Sequence, residues 1–207
     1  MRAKRVASLT AYRQPGAAEW AAMAPQDIAL TATPLSMQPT PYIQQSWDGK
    51  PYGQTPALKA ACVHDGHEWA LRVTWQGVSG MGHDFPDALA VALPVKGKPV
   101  LALMGQPDAP IHMLRWQANK EKLRIISATG IGKSIDGAAV KCGVQARAVD
   151  NEWQVVFTRV LGHGAGVAPL LAGKKTGIGF ALWRGANDER AGIKAFSIDW
   201  IELALDA

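Results

Sequence analysis

Apolar and polar residues alternate with a period of two along most of the chain. The clearest case covers residues 58–63 and 68–75, with His64-Asp65-Gly66-His67 between the two runs. Strict alternation on both sides of a short Gly-containing turn predicts a β-hairpin. Trp69 and Trp75 fall on the same side of the second run as its aliphatic residues. We therefore expect both tryptophans in a core.

Further short runs of β-forming residues follow at regular spacing, bounded by Gly, Pro, Asn or Asp. They predict strands over residues 27–33, 88–94, 100–104, 111–117, 123–127, 144–149, 153–160, 178–183 and 193–204. Residues 162–179 are glycine-rich and are predicted to form a long loop with a tight connection. No amphipathic helical pattern separates the runs, so the sequence predicts an all-β fold, an antiparallel β-sandwich.

The first 40 residues differ from the rest of the chain. They mix Ala, Pro and Gln with little periodicity, which predicts an extended N-terminal arm over residues 1–40, lying on a partner. Residues 41–207 are then one β-sandwich domain, since a chain of 207 residues is long enough for one substantial core.

Composition excludes several classes of function. The net charge is +5, and the basic residues are scattered rather than clustered, which disfavours nucleic acid as a partner. No window reaches the ~18 apolar residues of a membrane span, and no apolar signal-peptide core follows the basic start. Cys62 and Cys142 lie in no CxxC or CxxCH motif, which excludes covalently attached haem and a Cys-ligated cluster. Their redox state stays open.

Two short motifs favour no catalytic function. Ile131-Gly132-Lys133-Ser134 resembles the end of a phosphate-binding loop, but the required earlier glycine would fall at Ser127. Of the five histidines, His64 and His67 flank the predicted turn, and we expect them to be solvated. No carboxylate or cysteine accompanies them at the spacing of a zinc site, and no nucleophile–base pair stands out.

Met104-Gly105 closes an apolar run, and a methionine there is ordinary core filling when taken alone. Its neighbours along the chain change the interpretation. The order of segments is Trp47-Asp48-Gly49, then 84–94 (DFPDALAVALP), Met104-Gly105, Trp116, and 180–197 (FALWRGANDERAGIKAFS). This succession resembles the gamma subunits of ethylbenzene dehydrogenase, dimethylsulfide dehydrogenase, and selenate and chlorate reductases. The resemblance runs from Trp47 to the C-terminus.

The resemblance implies a β-sandwich with one non-covalent haem b between the sheets or at their edge. Met104 matches the methionine of the family's MG turn, and Lys194 matches the lysine of its ERxGxK-like segment. These two side chains are the implied axial ligands of the iron. Histidine is a more common haem ligand in general, so His112 or His163 is the rival for the second position.

The resemblance also implies an electron-transfer subunit that does no catalysis of its own. Its expected partners are an alpha subunit with a molybdenum cofactor, a beta subunit with iron–sulfur clusters, and a cytochrome c in the periplasm. Export would then depend on a removed leader or on a partner. The alternative is a carbohydrate- or small-ligand-binding sandwich module without haem, since eight tryptophans could stack on sugars if they were exposed.

Overall fold

Strands dominate the computed structural model, which describes residues 1–54, 57–78 and 85–207. The strands are β1 Arg2–Arg5, β2 Gln26–Ile28, β3 Thr31–Ala32, β4 Leu58–His64, β5 Glu68–Gln76, β6 Ala88–Pro94, β7 Ile111–Gln117, β8 Arg124–Ala128, β9 Ser134–Asp136, β10 Cys142–Val149, β11 Glu152–Val160, β12 Gly162–Gly164, β13 Val167–Leu170, β14 Lys175–Trp183, β15 Ala195–Phe196 and β16 Ile201–Leu205. One α-helix, α1, spans Pro41–Trp47, and 3-10 turns cover Ala11–Arg13, Ala18–Ala22, Leu35–Met37, Leu101–Leu103 and Gly185–Asn187.

The strands form two layers joined by β14. In the first layer the order is β10, β11, β5, β4, β1, β16 and the first half of β14; in the second it is the last half of β14, then β6, β7, β8 and β9. β15 also pairs with β14 and with β3. Among the described pairs only β1 is parallel to its neighbours, β4 and β16. The predicted all-β sandwich is confirmed.

The main core lies between the layers. Trp75 and Trp153 of the first layer meet Trp116 of the second, with ring centroids 6.0 and 4.9 Å from that of Trp116. Trp69 is 0% exposed and Trp75 is 3% exposed, so the core positions predicted for both are confirmed. The predicted hairpin is β4 and β5, and the run of residues 88–94 is β6 itself.

Four strand or loop predictions differ from the structure. Residues 27–33, predicted as one strand, are divided between β2 and β3. Residues 100–104 form a 3-10 turn instead of a strand, and residues 193–204 are divided between β15 and β16. The predicted long loop contains the small β12–β13 hairpin. Apolar content alone does not distinguish a strand from a turn whose apolar side chains cover a sheet.

The first 40 residues pack on this chain instead of extending from it. β1 lies between β4 and β16 in the first layer, although only Ala3 of its four residues is buried. Leu9, Tyr12 and Trp20 form a second apolar cluster with the outer face of that layer. The sequence does not reveal this because β1 is mostly charged, and its pairing comes from backbone hydrogen bonds.

His64 is buried, and neither cysteine forms a disulfide. His64 is 0% exposed at the end of β4, so the expectation that it is solvated is wrong; His67 is exposed. Cys62 and Cys142 are free thiols, and burial raises the pKa of Cys62 to about 12. In the described part of the chain, no helix has the length and apolar character needed to cross a bilayer.

Candidate functional site

The outer face of the second layer forms the floor of a large pocket. Side chains alternate across β6, so that Leu89, Val91 and Leu93 enter the core, while Ala90 and Ala92 point the other way into the pocket. The same alternation puts Met113 of β7 on the floor. Small alanines leave space above the sheet that larger side chains would fill.

Four covering segments build the walls. They are the 3-10 turn Leu35–Met37 with the two residues after it, the turn Leu101–Leu103 with Met104, the loop of residues 131–134, and residues 191–197. The empty volume is about 1250 Å³, part of it open to solvent. The lining is mostly apolar, which is typical of a cofactor site. The pocket lies on the outside of one layer, beneath loops, and not between the layers.

Met104 lines this pocket from a left-handed turn. It ends the 3-10 turn with φ 59° and ψ 37°, and its N–H donates to the carbonyl of Leu101 at 2.9 Å. Its own carbonyl accepts from the N–H of Gly130 at 3.0 Å. A left-handed conformation costs an ordinary L-residue on the order of 1 kcal/mol or more. Met104 therefore has an unfavourable backbone conformation, which these two hydrogen bonds stabilise.

Gly105 explains why glycine follows the methionine. Its φ is +83°, and an added Cβ would lie 2.8 Å from the carbonyl oxygen of Ala128. A larger residue would have both an unfavourable backbone and a clash. Leu101 is fixed in a similar way, because a Cβ on Gly179 of β14 would meet it at 2.5 Å. Gly105 and Gly179 thus allow the turn that contains Met104 to pack closely against the sheet.

Lys194 lines the same pocket directly before β15. It is 8% exposed, and its Nζ lies 5.7 Å from the ring centroid of Trp183. Burial lowers the pKa of Lys194 to about 8. No salt bridge to Lys194 occurs among the described residues. A buried amine without a carboxylate partner loses its proton easily.

The loop before Lys194 is held by a buried carboxylate. Glu189 accepts hydrogen bonds from the N–H of Gly53 at 2.8 Å and of Arg184 at 3.0 Å. The carbonyl of Lys194 accepts from the N–H of Thr33 at 3.0 Å. These hydrogen bonds hold the backbone of Lys194 and of the loop before it. The buried residues around Lys194 then set the direction of its side chain.

The two rival histidines do not line this pocket. His112 lies between Ile111 and Met113 on β7, so alternation turns it to the opposite face of the sheet. It is 0% exposed, and its Nε2 lies 3.1 Å from the carbonyl oxygen of Ala138. His163 is on β12 and borders a separate surface cavity. The structure brings together Met104 and Lys194 and neither histidine.

Several lining residues were missed by the sequence analysis. Met37 and Met113 place two further thioethers in the pocket, and Arg115 places a guanidinium there. The rejected phosphate-loop motif forms part of the wall through Ile131, Gly132 and Ser134. Positions 111, 113 and 115 alternate along β7, a signal that was present in the sequence but gave no indication of which face was covered. His83 and Asp84 lie outside the described residues.

Comparison of the sequence with known proteins finds subunits of redox enzymes. No protein-family model matches the chain. The chlorate reductase gamma subunit of Ideonella dechloratans is 32% identical over 163 residues, which are 72% of this chain and 65% of that protein. The dimethylsulfide dehydrogenase gamma subunit of Rhodovulum sulfidophilum is 24% identical over 63% of this chain and 54% of its own length. The chain is similar in sequence to these gamma subunits.

A third relative carries the name of a cofactor. A protein of Haloferax mediterranei, named as a respiratory nitrate reductase haem subunit, is 28% identical to this chain. The match covers 64% of this chain and 48% of that protein. The chain thus spans about half to two thirds of the length of these relatives. The resemblance seen in the sequence is confirmed for the chlorate reductase and dimethylsulfide dehydrogenase subunits.

Solved structures of other proteins share the fold of this chain. A carbohydrate-binding protein of Bacteroides uniformis superposes with a TM-score of 0.59 at 11% identity, covering 100% of this chain and 98% of that one. A family 9 carbohydrate-binding module of Caldicellulosiruptor kristjanssonii, in complex with glucose, gives 0.55 at 10% identity, covering 100% and 95%. At such identity the likeness concerns the fold alone. None of the eight tryptophans here is exposed.

The pocket of this chain suits a haem. Its apolar lining suits a porphyrin, Met104 supplies a soft sulfur donor, and Lys194 supplies an amine. The pKa of Lys194, lowered to about 8 by burial, makes its neutral form accessible near neutral pH. The described residues contain no cluster of His, Cys, Asp and Glu suited to a bare metal ion.

Proposed function

We propose that this chain is a non-catalytic electron-transfer subunit that holds one haem b, non-covalently, in the outer pocket. Met104 and Lys194 are its axial ligands. The observation that carries the proposal is that both side chains, 90 residues apart in the sequence, line one apolar pocket. The names of the relatives support it, because one is a haem subunit and two are gamma subunits of redox enzymes.

Haem iron, when bound, exchanges single electrons between its ferrous and ferric states. Met104 offers a neutral thioether, which favours the ferrous state and raises the reduction potential. Lys194 binds only after giving up its proton, and burial lowers the cost of that loss. Two protein ligands leave no open coordination position. The chain therefore passes electrons without binding a substrate at the iron.

The partners and location belong to the same proposal. The chain works in a complex with an alpha subunit carrying a molybdenum cofactor and a beta subunit carrying iron–sulfur clusters, and it exchanges electrons with a cytochrome c in the periplasm. Support comes from the gamma-subunit names of two relatives. Purification of the native complex, followed by identification of its subunits, tests this part directly.

The ligand assignment is tested by replacing Lys194. The haem-loaded wild-type chain is expected to show a six-coordinate low-spin ferric spectrum. Lys194→Ala is expected to lose that spectrum, because the amine donor is gone. Lys174→Ala is the matched control, since Lys174 is exposed, and it should retain the wild-type spectrum.

Two results would contradict the proposal. An unchanged low-spin spectrum in Lys194→Ala removes this lysine as a ligand. Absence of a Soret band from haem-replete wild-type protein removes the haem altogether and favours a binding module instead.

A further inference from the structure

Arg115 is a half-buried cation that forms no salt bridge with the described residues. It lies on β7, at the floor of the pocket that holds Met104 and Lys194. Its guanidinium Cζ stands 5.1 Å from the ring centroid of Trp183, and its Nε has no hydrogen-bond partner among the described residues. The face of an aromatic ring attracts a cation but does not accept its hydrogen bonds in the way that a carboxylate does.

The surroundings increase the cost of this charge. In the register of β7 and β8, Arg115 stands directly opposite Arg124, and like charges in opposed positions destabilise a sheet. Arg124 is compensated by Asp136 at 3.0 Å. Arg115 has no such acid, and burial lowers its pKa. A guanidinium nevertheless stays protonated in proteins.

The described lining of the pocket contains two basic side chains, Arg115 and Lys194, and no aspartate or glutamate. If Lys194 is neutral as a ligand, Arg115 is the permanent charge of that lining. Half-buried Arg72 donates to the carbonyl of Pro15 at 2.9 Å, and buried Arg159 donates to that of Ala168. Arg115 lines a pocket instead, where a bound molecule can supply the acceptor.

We propose that Arg115 binds a carboxylate of the pocket's occupant, a propionate group of the haem, and thereby sets both the orientation and the affinity of the cofactor. This inference rests on the proposed function. Guanidinium and carboxylate form paired, charge-assisted hydrogen bonds, which are among the strongest in proteins. A fixed positive charge beside the cofactor also stabilises the ferrous form over the more positive ferric form, so Arg115 raises the reduction potential.

The test crosses two changes, one in the protein and one in the ligand. Wild type and Arg115→Gln are each titrated with haem and with haem dimethyl ester, whose propionates carry no charge. Dissociation constants are read from the Soret absorbance. Arg147→Gln is the matched control, because it removes one positive charge from an exposed side chain on β10, in the first layer, whereas the pocket lies on the second.

With free haem, Arg115→Gln is expected to weaken binding about 10- to 100-fold, the range of a charged hydrogen bond. With the ester, wild type and Arg115→Gln should bind equally, since the carboxylate is gone. Arg115→Lys should restore part of the affinity. The midpoint potential of Arg115→Gln should be lower than that of wild type, while Arg147→Gln should match wild type in every measurement.

The inference is overturned if Arg115→Gln weakens haem and its ester by the same factor, which would mean that Arg115 only packs the floor. Equal binding of free haem by wild type and Arg115→Gln overturns it as well. Both results leave the axial ligands untouched when the low-spin spectrum persists. Failure of the wild type to bind haem in any form overturns the proposed function, and this inference with it.

Discussion

The two faces of β7 lie in different surroundings. On the outer face, Met113 and Arg115 border the pocket that Met104 and Lys194 also line. On the inner face, His112 is sealed in the sandwich, and its Nε2 is satisfied by the carbonyl of Ala138 at 3.1 Å. A step of one residue along a strand thus separates a potential cofactor group from a structural one. Residue type alone would have favoured histidine.

The largest effect expected from the outer face is loss of an axial donor. Met104→Leu keeps the side-chain volume but removes the sulfur, so the six-coordinate low-spin ferric spectrum should disappear completely. Absorbance and electron paramagnetic resonance of the haem-loaded variant measure it. Met37→Leu and Met113→Leu are matched controls within the same pocket. If either control loses the spectrum and Met104→Leu keeps it, the ligand is a different methionine.

The next effect distinguishes a lysine ligand from a histidine ligand by pH. Burial lowers the pKa of Lys194 to about 8 from the 10.5 of a free lysine. Below pH 8 the folded apo chain carries the proton, and binding to iron must release it. Haem affinity should therefore fall about tenfold per pH unit between pH 8 and pH 6, as each unit below the pKa requires one more tenfold cost.

The same shift makes the stability of the apo chain rise with pH as well, but in a higher pH window. The folded pKa lies below the unfolded one, so the unfolded chain binds more protons between pH 8 and 10.5. The free energy of unfolding attributable to Lys194 should rise through that window and be lowest below pH 8. Lys194→Met should remove the contribution of Lys194 to both pH dependences, as measured by chemical denaturation and haem titration. A wild-type affinity that is flat from pH 8 to pH 6 would contradict a lysine ligand.

A smaller effect concerns the backbone beneath Met104. Gly105→Ala should destabilise the chain by about 1–3 kcal/mol, because of its positive φ and the contact with the carbonyl of Ala128. Chemical denaturation measures this change. Gly97→Ala separates the two causes, since Gly97 has φ +62° and nothing within 4 Å of its added Cβ. Equal losses in the two variants would show that the Ala128 contact contributes nothing.

The smallest effect is expected on the inner face. His112→Leu removes one hydrogen bond to the carbonyl of Ala138, and its net cost should be about 1 kcal/mol. The haem spectrum should not change, because His112 faces away from the pocket. His163→Leu on exposed β12 should also leave the spectrum unchanged. Loss of the low-spin spectrum in either variant would restore histidine as the second ligand.

Much of the fold was predictable because alternation marks half-buried strands. β7 alternates between buried and half-buried residues over most of its length, whereas β5 and β11 are buried on both faces over much of theirs. All three were nevertheless found, because turn residues bound their β-forming runs. β1 was missed, since its four residues are mostly charged, and a strand can be held by its backbone bonds alone. The turn Leu101–Leu103 was mistaken for a strand, because an apolar run is equally suited to covering a sheet.

The site was partly predictable for a different reason. β6 is apolar on both faces, with all seven of its residues buried. A continuous apolar run indicates that both faces are covered, but it does not identify which face is the core and which faces a pocket. Met104 and Lys194 were found through the family resemblance. Arg115 was not, since an arginine within a strand gives no sign of its unpartnered Nε until the surrounding chain is placed.

The central claim is that the haem lies on the outer face of β7, between Met104 and Lys194. A crystal structure of the haem-loaded chain, with the iron located by anomalous scattering at its absorption edge, tests this most directly. The account predicts iron in the outer pocket, within coordination distance of Met104 Sδ and Lys194 Nζ. Iron beside His112 between the two layers, or beside His163, would contradict it.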